Sequence, residues 1–113
     1  MITIYHNPRC QKSRLGVKLL EESGLDFKIF KYLETPLEKN ELKLILKKLN
    51  INPIDLVRTN ENLWKSEFKA KKLSDEQIIQ AMIEHPKLIE RPIVVNGKKA
   101  IIGRPTEEII KIL

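Results

Sequence analysis

The first apolar cluster, ITIY at residues 2–5, is β-branched and aromatic and runs into His6-Asn7-Pro8, so the pattern predicts a short strand ending in a turn. From Gln11 to Ser23 the apolar residues Leu15, Val17, Leu19 and Leu20 form a helical stripe, and Gly24 stands where a C-terminal glycine cap belongs. FKIFKYL at 27–33 alternates polar and apolar residues over part of its length and reads as a second strand. Thr35 and Glu38 have the spacing of a capping box, with Pro36 at the first helical position. Leu42, Ile45, Leu46 and Leu49 then supply the buried stripe of a second helix.

Residues 53–90 contain two or three shorter helices and no evident strand. The clearest of them opens on Ser74 and Gln77 as a capping box and carries Ile78, Ile79, Met82 and Ile83. Beyond it, PIVV and AII flank Asn96-Gly97, the signal of an antiparallel hairpin with a tight turn. Gly103-Arg104-Pro105 then leads into a last helix over 106–112. A βαβ half with parallel strands, joined to a ββα half, gives an α/β fold with a four-stranded mixed sheet. This is the thioredoxin-like arrangement, with a helical insertion at about 36–90 between the two halves.

At 113 residues the chain fits a single domain with a core of its own, and 42% hydrophobic with 32% charged residues is the balance of a folded, soluble protein. The N-terminus has no basic head followed by an apolar run, and no segment approaches a membrane span, so a cytoplasmic protein with no membrane partner is expected. The net charge of +6 favours anionic partners without choosing among them. Lys43, Lys47 and Lys48 stand among glutamates on helical faces, which argues for a solvated surface and against nucleic-acid binding.

The one cysteine changes the picture. Cys10 falls in YHNPRCQKSR, just after the first strand and in the first turn of the first helix, where free N–H groups and the helix dipole favour an anion. His6, Arg9 and Arg14 are candidate cations to lower its pKa, and Ser13, one turn on, is placed to donate a hydrogen bond to the sulfur. For His6 a role in forming the turn stands beside pKa tuning. A lone cysteine is often an inert small hydrophobe, but a turn of His, Asn, Pro and Arg is a poor place for a packing residue, and the position favours reactivity. A single thiol can make neither an internal disulfide nor a Cys-rich zinc site, and no metal is expected. With Ser13 in place of a second cysteine, any oxidised sulfur must be handed to an outside reductant. Nor is this a Cys-x5-Arg phosphate loop, because position 16 is glycine; arginines must arrive from elsewhere to grip an oxyanion.

YHNPRCQKSR, together with YLETP (32–36), HPKLIERPIVVNGK (85–98) and IGRPTEEII (102–110), closely resembles the glutaredoxin-linked arsenate reductase family, and its short-form members most. The resemblance spans nearly the whole chain and agrees with the thioredoxin-like pattern. It implies that Cys10 is the nucleophile toward arsenate and that His6 helps hold the thiolate. It further implies that Arg58, Arg91 and Arg104 hold the oxyanion and its reduced product. Without it, Arg58 and Arg104 read as surface residues. Thioredoxin-like proteins place a cis-proline opposite the catalytic cysteine, so a cis Arg91–Pro92 bond is expected, bringing Arg91 beside Cys10.

The implied reaction starts with attack of the Cys10 thiolate on arsenate. Glutathione then joins as co-substrate, and glutaredoxin removes the mixed disulfide as arsenite leaves. No bound cofactor is implied, and a monomer is expected. Two alternatives share the scaffold. One is a glutathione-dependent thiol reductase acting on another substrate, against which the three arginines stand. The other is a redox-responsive regulator that binds RNA polymerase, against which the missing second cysteine stands.

Overall fold

The computed structural model describes all 113 residues. The chain divides into two compact units, residues 1–35 with 91–113, and residues 36–90.

The first unit is built on a four-stranded sheet of order β2-β1-β3-β4. Strand β1 (Ile2–Tyr5) pairs in parallel with β2 (Phe27–Phe30) and antiparallel with β3 (Ile93–Asn96), which forms a hairpin with β4 (Lys99–Ile102). The parallel pair needs a crossover, and α1 (Gln11–Ser23) provides it, capped by Gly24 in the left-handed conformation at φ 73°. Ile2, Ile4, Leu20, Val94 and Ile109 form the core cluster on which these elements converge. Each fully buried aliphatic side chain among them contributes roughly 1.5–3 kcal/mol.

Four details of this unit differ from the pattern. The second strand stops at Phe30, because β1 turns away after the His6 N–H to Phe30 carbonyl bond (2.8 Å) and leaves the next residues unpaired. The Lys31 carbonyl instead accepts from the Glu34 and Thr35 amides, folding 31–35 into a turn. On α1 the buried positions are Ser13, Gly16 and Leu20, whereas Leu15 is exposed. Gly16 lets the helix lie close there: a Cβ would stand 3.0 Å from both Ile4 Cδ1 and Pro92 Cγ, so a larger residue would need those neighbours to give way. The last helix, Thr106–Ile112, is wound as a 3-10 helix. Its three-residue period lines up Thr106, Ile109 and Ile112 on the covered face and leaves Glu107, Ile110 and Lys111 exposed. The Asn96 side chain donates to the Ile112 carbonyl at 2.6 Å, so Asn96 serves as the last strand residue and the turn is made by Gly97-Lys98, with Gly97 at φ 62°.

The second unit, residues 36–90, is built of helices. Helix α2 (Lys39–Leu49) buries Leu42, Ile45 and Leu46 as the stripe requires. Its start is a correction: no capping box forms between Thr35 and Glu38, and the helix begins three residues later with Glu38 as the extended N-cap. Leu37 explains the delay. It is buried just before the cap, as is Leu42 four positions into the helix, the two positions of a hydrophobic staple. Helices α3 (Asn62–Glu67) and α4 (Asp75–Glu84) follow, the latter opened by the expected Ser74–Gln77 capping box. Short 3-10 segments cover Pro53–Leu56 and Pro86–Leu88. Where no strand was evident, Val57 and Ile89 form an isolated antiparallel bridge, flanked by Arg58 N–H to Leu88 O (2.7 Å) and Glu90 N–H to Leu56 O (2.8 Å). No helix of either unit is long and apolar enough to cross a membrane.

Candidate active site

The loop that joins β1 to α1 is stitched by its own polar groups. The Cys10 amide donates to the Asn7 carbonyl (3.0 Å), and the Arg9 amide to Asn7 Oδ1 (3.0 Å), an Asx turn of the kind asparagine favours. Cys10 is the N-cap of α1, with extended backbone at φ −97° and ψ 122°, and its carbonyl accepts the first helical bond from Arg14 (3.0 Å). The sulfur thus sits over the open end of the helix. Its residue is 9% exposed, a largely covered position although the loop around it is polar.

Burial by itself raises the thiol pKa, and this is the largest single influence on Cys10. It is outweighed by the combined pull of the Ser13 amide, the Arg91 guanidinium through hydrogen bonding and charge, and the Lys12 amide. The net result lies below the ordinary thiol value. Cys10 makes no side-chain capping hydrogen bond of good geometry; the two amides belong to the helix N-terminus, and what they favour is the negative charge.

The arginine beside the sulfur comes from the far end of the unit. The Arg91–Pro92 peptide is cis and leads directly into the central strand β3. A second cis peptide, Arg104–Pro105, lies just after β4 and was not anticipated; the only signal for it is the recurrence of an Arg-Pro pair at a strand boundary. Arg104 Nη2 approaches Cys10 Sγ at 3.9 Å, and Arg104 Nε donates to the Arg91 carbonyl at 2.8 Å. Arg91 Nε is buried with no partner, a donor that the folded chain leaves unused.

The other sequence-selected residues take different places. Ser13 is fully buried and does not offer its hydroxyl to the sulfur. Its Oγ lies 2.7 Å from His6 Nδ1 and accepts the Asn7 N–H at 2.9 Å, so only the Ser13 amide acts on Cys10. His6 is buried, and its pKa is lowered by desolvation first, then by the charges of Lys31 and Arg14, against a hydrogen bond with Ser13 that raises it. It is therefore a neutral imidazole that orients Ser13, and it supplies no cation to the thiolate. Arg14 turns outward, with Nη1 donating to the Pro8 carbonyl at 2.9 Å, and its charge bears on His6. Arg9 is exposed, and neither Arg9 nor Arg14 contributes to lowering the Cys10 pKa. The expected tuning by His6, Arg9 and Arg14 thus gives way to tuning by amides and Arg91. The Arg14 side chain is held at the Pro8 carbonyl and His6 at Ser13, while the sheet returns Arg91 to the sulfur.

Arg58 belongs to the helical unit. There its Nη1 pairs with Glu61 Oε2 at 2.8 Å and lies 3.4 Å from the Lys87 carbonyl.

The ArsC family model matches residues 5–112. The chain is 46% identical to an Escherichia coli K12 protein described as "Uncharacterized protein YfgD", with 99% of this chain and 96% of that one covered. It is also 46% identical to the arsenate reductase of Haemophilus influenzae, covering 99% of this chain and 98% of the relative. Among solved structures, the arsenate reductase from Vibrio cholerae superposes with a TM-score of 0.94 at 45% identity, covering 99% of this chain and 97% of that one. By this match along nearly its full length, with the thioredoxin-like sheet common to these structures, the chain belongs to the ArsC family.

Proposed function

We propose that the protein is an oxidoreductase that reduces arsenate to arsenite, with Cys10 as the nucleophile and a glutathione–glutaredoxin couple as the electron source. The observation that carries the reading is a sulfur at a helix N-cap, its pKa lowered, with Arg91 acting on it and Arg104 Nη2 at 3.9 Å. The names of relatives over 40% identical along their length support the same substrate.

In this reaction the Cys10 thiolate attacks arsenic(V), and one arsenate oxygen leaves with protons as water, giving a sulfur–arsenic bond. An anion attacking an anion needs charge compensation. Arg91 and Arg104 supply it with planar forks that match the oxygens of a tetrahedral oxyanion, and the unused Arg91 Nε is a donor for one of those oxygens. The resemblance around LVRTNE assigns Arg58, too, to the oxyanion. A glutathione thiolate then attacks the Cys10 sulfur. The sulfur–sulfur bond forms as the sulfur–arsenic bond breaks, and the bonding pair leaves on arsenic, which becomes arsenic(III). Two sulfurs have each lost one electron and arsenic has gained two.

The mixed disulfide on Cys10 has no resolving thiol in this chain, since the one cysteine is consumed in it. Glutaredoxin takes the glutathionyl group and restores the thiolate. A cytoplasmic setting, where thiol reductants are kept reduced, suits this cycle. The test is arsenate-dependent NADPH oxidation in an assay coupled through glutathione, glutaredoxin and glutathione reductase, with Cys10→Ser as the control.

A further inference from the structure

Beside the Cys10 loop lies a cleft of about 400 Å³, lined by Asn7, Pro8, Arg9, Lys31, Leu33 and Glu34. Its volume falls in the range of about 300–1,000 Å³ usual for small-molecule sites. The two walls are the loop after β1 and the turn after β2, and the His6 N–H to Phe30 carbonyl bond at 2.8 Å ties them together at their base. Both are otherwise braced by backbone bonds, through the Asn7 side chain on one side and the Lys31 carbonyl on the other, so the cleft is preformed.

Its chemistry is zwitterionic. Arg9 and Lys31 offer two cations, Glu34 one carboxylate, and Pro8 and Leu33 apolar lining. No ion pair within the protein engages these three charged side chains. Arg9 directly precedes Cys10, so their Cα atoms are about 3.8 Å apart, while an extended tripeptide spans roughly 10 Å. The cleft thus borders the residue that carries the sulfur, within the length of such a peptide.

We infer that this cleft is the seat of the thiol co-substrate, a flexible peptide thiol bearing two carboxylates and one ammonium group, as glutathione does. Arg9 and Lys31 take the carboxylates, Glu34 takes the ammonium, and the thiol is left free to attack Cys10 in the disulfide-forming step described above. The inference deepens the reading of Cys10 as a thiol-dependent reductase and rests on it for the chemistry, but binding can be tested apart from turnover.

S-methylglutathione keeps all three charges and cannot form a disulfide. Titrated at millimolar concentrations into the ¹⁵N-labelled protein, it should saturably shift the amides of Asn7, Arg9, Lys31 and Glu34. The exposed-residue variants Arg9→Glu and Lys31→Glu should each raise its dissociation constant roughly fivefold, the most that one exposed ion pair is usually worth. The same spectra report whether each variant is folded. Absence of saturable shifts, shifts centred elsewhere, or affinity unchanged in both folded variants would overturn the assignment. If the cleft binds but arsenate is not reduced, the proposed function fails and the cleft stands. If arsenate is reduced and the cleft does not bind, the reverse holds.

Discussion

Arg104 Nη2 lies 3.9 Å from Cys10 Sγ although 94 positions separate the two residues in the chain. The hairpin of β3 and β4 makes the approach possible. It carries the chain out along the sheet and back, so that Arg91 before β3 and Arg104 after β4 emerge at the same end, joined by the Arg104 Nε to Arg91 carbonyl bond. The sulfur and the two guanidinium groups beside it therefore come from opposite ends of one unit.

The cation acting on the thiol is Arg91, so Arg91→Gln should move the Cys10 pKa upward, toward the ordinary thiol value of about 8–9. Burial would then be opposed by the two amides, with Arg104 still 3.9 Å from the sulfur. The pH dependence of iodoacetamide alkylation measures this: the wild-type midpoint should lie below the ordinary value and that of Arg91→Gln above the wild-type one. An unmoved midpoint would contradict a pull by Arg91 on the thiol.

Because the folded thiol pKa is lowered, the unfolded chain holds more protons than the folded one between the two pKa values, and stability rises with pH across that window. The contribution is complete above the unfolded thiol value and is lost as pH falls through the folded one. His6, also lowered on folding, acts with the same sign further down: its contribution is present above the ordinary imidazole value and lost as pH falls through the folded value. Cys10→Ser should flatten the upper segment and leave the lower one in place. Urea unfolding midpoints over a pH series read both, and an upper slope retained in Cys10→Ser would contradict the lowered thiol pKa.

Ser13→Ala should cost about 1–3 kcal/mol, because a fully buried hydroxyl that serves both His6 Nδ1 and the Asn7 amide is removed and neither partner has a ready substitute. Denaturant unfolding measures the loss. A change within about 0.5 kcal/mol, typical of an unremarkable surface position, would mean that the network does not hold the loop.

Much of the fold was legible because its signals are local. The β1 and α1 patterns, the Ser74–Gln77 box and the turn signal after Val95 each lie within a few residues. The misread start of α2 shows the limit of such signals. Thr35 and Glu38 have the spacing of a box, but burial of Leu37, a tertiary event, decides where the helix begins. The site was legible in its membership more than in its wiring. Cys10 could be singled out from its place between strand and helix, Arg91 and Arg104 only through the family resemblance. That Ser13 turns its hydroxyl to a histidine seven residues back, and that Arg14 faces Pro8, depends on side-chain directions that spacing does not fix. Gly16 reads in sequence only as a missing arginine, whereas in the fold it is the gap that admits Pro92.

The most direct measurement is the rate of arsenate-dependent NADPH oxidation through glutathione, glutaredoxin and glutathione reductase, compared between wild type and Cys10→Ser. A rate that follows wild-type protein concentration and falls to background in Cys10→Ser is the predicted result. Activity that survives in Cys10→Ser, or none in a wild type whose Cys10 alkylates as a low-pKa thiolate, would contradict the assignment of this sulfur as the arsenate nucleophile.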